Sequence, residues 1–200
     1  ELGRLAQGIR DIVGTDTINF IPFADVPANE KVTYGRIVCM YRPQKDEPNR
    51  CRLTVGGNLI NFPGDCGTPT AGMLTVKFLL NSVISTPGAK FMTIDIKNFY
   101  LNTPMERPEY MRLKIADMPE NIIKQYNLRD IETRDGYVYV KIQRGMYGLP
   151  HAGIIAQQLL EKRLNKAGYR QSKLTPGYWT HDWRPISFTL VVDDYGVKYV

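Results

Sequence analysis

Phe188-Thr189-Leu190-Val191-Val192-Asp193-Asp194-Tyr195-Gly196-Val197-Lys198-Tyr199-Val200 is the stretch on which the fold class turns. Residues Ile186 to Val192 are rich in β-branched and aromatic types, as strands are. Asp193 to Gly196 have the composition of a hairpin turn, and Val197 to Val200 are apolar again. The stretch therefore predicts a β-hairpin with two carboxylates at its bend. A second run, Phe91-Met92-Thr93-Ile94-Asp95, predicts a short buried strand over Lys90 to Ile96 that also ends in a carboxylate.

Outward from these, strands and helices alternate. V-T-Y-G-R-I-V-C-M-Y-R (Val32 to Arg42) and R-C-R-L-T-V (Arg50 to Val55) flank the turn-type Pro43 to Asn49 and predict a basic hairpin. Lys31, Arg36, Arg42, Lys45, Arg50 and Arg52 are opposed there only by Asp46 and Glu47. Apolar residues recur at threes and fours from Ala71 to Ile84 (Met73, Val76, Leu80, Val83, Ile84), so a helix is expected, stopped by Thr86-Pro87-Gly88. Tyr110 to Ile115 is a strand candidate, and Pro119 to Leu128 a helix with proline in its first turn. Gly136 to Arg144 alternates Val138, Val140 and Ile142 against Tyr137, Tyr139 and Lys141. Ala152 to Ala167 has the clearest helical spacing, with Gly168 placed to end it. Residues 1 to about 30 show little periodicity and contain Pro22 and Pro27, so they read as a lead-in or linker. The interleaving, with hairpins at both ends, predicts an α+β fold: an antiparallel sheet with packed helices.

Composition narrows the function classes. The 200 residues are 43% hydrophobic and 23% charged, which argues against wholesale disorder. No apolar run is long enough to span a membrane, and Glu1-Leu2-Gly3-Arg4 has no signal-peptide core, so an intracellular chain is expected. Three cysteines, at 39, 51 and 66, without a C-x-x-C pair fit a reduced chain better than a disulfide framework or zinc site. A net charge of +6 leans towards a polyanionic partner. His181 has no neighbour at metal-ligand spacing, and no G-x-x-x-x-G-K-[ST] phosphate loop or nucleophile–His–acid arrangement is present.

The acidic residues carry the chemistry. Asp95, Asp193 and Asp194 stand where apolar strands end, and carboxylates held together there repel unless a cation lies between them. Mg²⁺ takes hard oxygen ligands of this type, usually with substrate phosphates, and two ions about 3.5–4 Å apart can clamp both oxygens of a phosphoryl transfer. The same residues also suit a plain structural role, since Asp-Asp-x-Gly makes good turns and a strand-end Asp often caps the next helix.

Taken in order, T-I-D-I-K-N-F-Y-L-N (Thr93 to Asn102), G-M-Y-G-L-P-H-A (Gly145 to Ala152) and L-V-V-D-D (Leu190 to Asp194) resemble the reverse transcriptase of copia-like LTR retrotransposons. R-C-R-L-T-V-G-G and E-Y-M-R-L are similar to two further stretches of that family, and the likeness runs from about Tyr34 to Val200. It implies right-hand polymerase fingers, mainly 31–90 and about 104–145, and an incomplete palm, 91–103 and about 146–200, with 1–30 as lead-in. The thumb and any RNase H domain would lie outside the chain, which would be a truncated polyprotein fragment. The implied activity is RNA-directed DNA synthesis, a nucleotidyl transfer using two Mg²⁺, with Mn²⁺ as a substitute. Asp95, Asp193 and the main chain of Ile96 would hold metal, with Asp194 completing the acidic cluster.

Arg50 and Arg52, and more weakly Arg42, would contact the triphosphate, and Tyr100 would lie beneath the sugar and disfavour a ribose 2′-hydroxyl. Read locally, Tyr100 is equally a core aromatic, and Arg42 and Lys45 a solvated strand face. His151 stands where the family has Gln, and its ring cannot offer an amide's paired donors and acceptors. The implied partners are an RNA or DNA template with primer, deoxynucleoside triphosphates, and the integrase and RNase H of the polyprotein, with no membrane. The implied setting is a cytoplasmic retroelement particle with a nuclear stage. Two alternatives remain at this point: a decayed fragment acting only as a nucleic-acid-binding module, and a generic basic interaction module.

Overall fold

The computed structural model describes residues 1–8 and 14–200 and is α+β, with two five-stranded sheets and four α-helices among those residues. The chain divides into two compact units, each built from two segments: Glu1–Asp65 with Tyr100–Ala152, and Cys66–Phe99 with Gly153–Val200.

In the first unit the elements are α1 (Leu2–Leu5), β1 (Ile18–Ile21), β2 (Val32–Tyr41), β3 (Asn49–Val55), β5 (Pro104–Lys114), α3 (Glu120–Gln125) and β6 (Tyr137–Arg144). In the second they are α2 (Met73–Ser85), β4 (Lys90–Asp95), α4 (Ala152–Lys166, whose first residue closes the other unit), β7 (Tyr169–Gln171), β8 (Tyr178–His181), β9 (Ile186–Val191) and β10 (Asp194–Tyr199).

The first sheet has the order β1-β6-β5-β2-β3, antiparallel except where β2 and β5 run parallel over Val32–Tyr34 and Tyr110–Arg112. Its core follows the alternation expected for β6: Val138, Val140 and Ile142 are fully buried and meet Met111 and Leu113 of β5 and Ile122 and Ile123 of α3. The expected lead-in is instead part of this unit. Ile18 and Phe20 of β1 pair with Ile142 and Val140 of β6, and Leu2 and Leu5 of α1 enter the same core. A four-residue strand flanked by Asp16 and Pro22 is too short to show a period in sequence. Residues 9–13 of the expected lead-in lie outside the described residues.

The second sheet, β4-β10-β9-β8-β7, is wholly antiparallel. Trp179, Phe188, Leu190 and Val197 form its core, with Leu160 and Leu164 of α4 against them. Gly168 takes φ +88° after α4, the left-handed turn that glycine makes at little steric cost.

Three expectations for this unit are corrected. The strand at 90–95 forms, but all six residues are exposed, because among the described residues β4 is an edge strand paired with β10 alone. The helix at 73–85 forms, but Leu79 is its one buried residue, while Met73 and Ile84 of the expected stripe are 70% and 85% exposed. The bend of the last hairpin is also earlier than composition suggested. Val192 and Asp193 form a two-residue turn, and Asp194 to Gly196 already belong to β10. Strands β7 and β8, each four residues or fewer, are too short to show a period in the sequence. His181, at the end of β8, accepts the amides of Trp183 and Arg184 on Nδ1 (3.2 Å each) and so caps a turn.

Candidate functional site

The second unit gathers the acidic residues. The β4–β10 register sets Asp95 directly opposite Asp194, and Asp193 precedes Asp194 in the turn. Directly opposed residues of antiparallel strands have Cα atoms about 4.5–5.5 Å apart and share a sheet face, where like charges are destabilising. Neither Asp95 nor Asp194 has an ion-pair partner among the described residues. The Ile96 amide donates to the Asp193 carbonyl (3.0 Å), tying the ends of β4 and the hairpin together.

The bend itself is strained. Val192 has φ +60°, a region that costs a β-branched residue roughly 1–2 kcal/mol. Such outliers persist where the surroundings over-determine them, and they concentrate at functional sites. Tyr195, beside the acidic pair, is pushed up to about 12 by burial and stays a neutral phenol.

Among the described residues, no group of three or more His, Cys, Asp or Glu side chains converges as a ready metal cage. The donors present are hard oxygens: the Asp95 and Asp194 carboxylates, both exposed, with Asp193 and the Ile96 carbonyl beside them. That set fits Mg²⁺, which is commonly held by one or two carboxylates and completes its shell with water and substrate phosphates.

The first unit holds the other candidates. Arg36, Val38 and Met40 of β2 pair with Thr54, Arg52 and Arg50 of β3, so Arg36, Arg50 and Arg52 share one face of the hairpin. Arg42, one residue beyond β2, continues it, its backbone amide donating a hydrogen bond to the Pro48 carbonyl. The Nε atoms of Arg42 and Arg52 are buried without a hydrogen-bond partner. An unpaired charged donor costs on the order of 1–3 kcal/mol, so an anion that reached it would be bound favourably.

The Arg52 guanidinium lies over the Tyr147 ring, 4.6 Å from its centroid, and Tyr147 meets Tyr100 edge-on at 5.5 Å. Arg52 and Tyr100 are thus joined through Tyr147, a residue that lay inside G-M-Y-G without being singled out. Backbone packing fixes this arrangement. The Val55 amide donates to the Tyr147 carbonyl (2.8 Å), and Gly148, at φ +95°, packs so close to Val55 that a Cβ would strike its main chain. A Cβ on Gly57 would in turn strike the Gly148 carbonyl, so the close approach of these two segments accounts for Gly148 and Gly57 together.

His151 is 5% exposed and stacked on Phe62, with centroids 4.8 Å apart and planes at 14°. Burial and, secondarily, the Arg107 charge hold its ring below the usual imidazole range, so it is neutral at pH 7. Its Nδ1 is buried without a partner. The structure therefore brings Asp95, Ile96, Asp193 and Asp194 together in one unit, and links Arg52 to Tyr100 in the other, where Arg50 and His151 also lie. No protein-family model matches the chain, and no curated protein matches it significantly. No helix among the described residues is long and apolar enough to cross a membrane.

Proposed function

We propose that the chain is the fingers and palm portion of an RNA-directed DNA polymerase of the kind found in copia-like retroelements. The observation that carries this reading is the direct opposition of Asp95 and Asp194, with Asp193 in a strained turn beside them. A purely structural turn gains nothing from two unneutralised carboxylates on facing strands. A site that receives cations and phosphates does.

In this reading Asp95, Asp193 and the Ile96 carbonyl hold Mg²⁺, and Asp194 adds to the negative field that attracts it. Bound there, the metal supplies the Lewis acidity that two-metal phosphoryl transfers use. Arg50 and Arg52 bind the triphosphate through forked hydrogen bonds. Tyr147 restrains Arg52 from one side, and Tyr100 offers a flat surface to the sugar. In the reaction a primer 3′-hydroxyl oxygen bonds to the α-phosphorus of a deoxynucleoside triphosphate, and the bond to the bridging oxygen breaks to release pyrophosphate.

Primer extension tests this. Mg²⁺-dependent incorporation of deoxynucleotides should fall by at least about 100-fold in Asp193→Asn and in Asp95→Asn. Undiminished extension in Asp193→Asn would overturn the assignment. The neutral, covered ring of His151, at a position where the family has Gln, favours a second reading: a chain that retains nucleic-acid binding without synthesis. Salt-sensitive binding to primer–template, with no extension at any Mg²⁺ or Mn²⁺ concentration, is the result that second reading predicts.

A further inference from the structure

The face of the β2–β3 hairpin opposite the arginines carries two cysteines in register. Cys39 pairs with Cys51, both are exposed, and their sulfur atoms are 2.9 Å apart. Two features make the pair more than a coincidence of packing. Burial does not explain it, because neither thiol is in the core. The register also gives the Cα separation that disulfides require, since directly opposed antiparallel residues stand about 4.5–5.5 Å apart and disulfides span about 4.4–6.8 Å. Closing the bond thus needs no strand to move. Cys51 also lines a cavity of about 390 Å³ with Ile37, Leu53, Asp117 and Ile122, which gives small reagents a way to its sulfur.

We propose that Cys39 and Cys51 form a reversible dithiol–disulfide site, oxidised by peroxides and restored by small-molecule thiols. The inference does not rest on the polymerase reading. The cavity gives small reagents access to the Cys51 sulfur, so Cys51 is the first nucleophile. The hydrogen bond with Cys51 raises the Cys39 thiol above its ordinary range, with loss of solvation adding to the effect. The Cys51 thiolate attacks one peroxide oxygen, the O–O bond breaks, and the departing oxygen takes a proton to leave as water. The sulfenic acid left on Cys51 is then attacked by the Cys39 sulfur. An S–S bond forms, and the sulfenic hydroxyl leaves with the Cys39 proton as a second water. Two thiols and one hydrogen peroxide give one disulfide and two waters: the sulfurs lose two electrons and the peroxide gains them. The bond would staple together the two strands whose other face presents Arg50 and Arg52.

The test uses the full chain, reduced, desalted and titrated with hydrogen peroxide. Two of the three thiols should be lost. Trypsin should then release the peptide Ile37–Lys45 joined to Cys51–Arg52, two hydrogens lighter than the separate peptides, and dithiothreitol should reverse the change. Cys66→Ser should give the same joined peptide. Cys39→Ser should not, and should instead leave a Cys51 sulfenic acid that dimedone captures. Survival of all three thiols at peroxide concentrations that oxidise free cysteine would overturn the proposal. So would a bond from Cys66 to either cysteine, or links between chains in place of the 39–51 link.

Discussion

Replacing Asp194 with Asn separates a carboxylate kept for chemistry from one kept for the turn. Asp194 faces Asp95 across β10 and β4, and neither has an ion-pair partner among the described residues. At a separation of about 5 Å, Coulomb repulsion is about 0.8 kcal/mol in bulk water and rises as the effective dielectric falls. Both side chains are exposed, so the value near bulk water applies, and mobile ions lower it further. Measured cross-strand pairs fall in the same range, about 0.2–1 kcal/mol. Asp194→Asn is nearly isosteric, so it should stabilise the chain by about 0.5 kcal/mol. The assay is urea denaturation at low salt and again at about 1 M salt, where the Debye length shrinks to about 3 Å and the gain should vanish. Added Mg²⁺ should stabilise the parent chain more than the variant, since only the parent keeps the full set of carboxylates. Destabilisation by more than about 1 kcal/mol, unchanged by salt, would refute the reasoning and make Asp194 a structural turn residue.

Three further outcomes follow from local geometry. Val192→Gly should raise stability by about 0.5–1 kcal/mol in urea denaturation, because relief of the φ +60° strain exceeds glycine's entropic cost. Gly148→Ala should lower it by at least about 2 kcal/mol, since the new Cβ meets the Val55 main chain at a φ of +95°. The third concerns pH. His151 is depressed in the folded chain relative to 6.5, so below pH 6.5 the unfolded chain binds more protons. Stability should therefore fall as pH drops through 6.5, levelling only below the folded value. His151→Gln should flatten that part of a pH series of urea midpoints.

What was legible in the sequence is what short-range patterning controls. The alternation of Val138, Val140 and Ile142 marked a strand and its buried face together, and the spacing along Ala152 to Ala167 marked α4. Asp95 and the Asp193-Asp194 pair were conspicuous because carboxylates interrupted apolar runs. The rest depends on which distant segments meet. Phe91-Met92-Thr93-Ile94 has the composition of a buried strand, yet β4 is an edge, because exposure is decided by the neighbours a strand acquires. Tyr147 gained its position from the close approach of Gly148 to Val55, and Cys39 met Cys51 only through the register that the 42–48 turn imposes. Composition places the bend too late, at 193–196, because no propensity favours a β-branched residue such as Val192 at positive φ.

The interleaving of the two units bears on how the chain is made. Synthesis passes from the first unit to the second at residue 66, returns at 100 and crosses again at 153. The first unit has all its residues once 152 has been added. Helix α2 and strand β4 emerge far earlier than β10, the strand that pairs with β4 among the described residues. For about 100 residues of translation, several seconds or more at ordinary elongation rates, Phe91, Met92 and Ile94 form part of a strand with no partner. The Asp95–Asp194 pair thus forms only after residue 194 has been added, about 100 residues later than Asp95 itself. Slow or stalled elongation between residues 100 and 194 leaves an unsatisfied apolar segment exposed to chaperones and to neighbouring nascent chains.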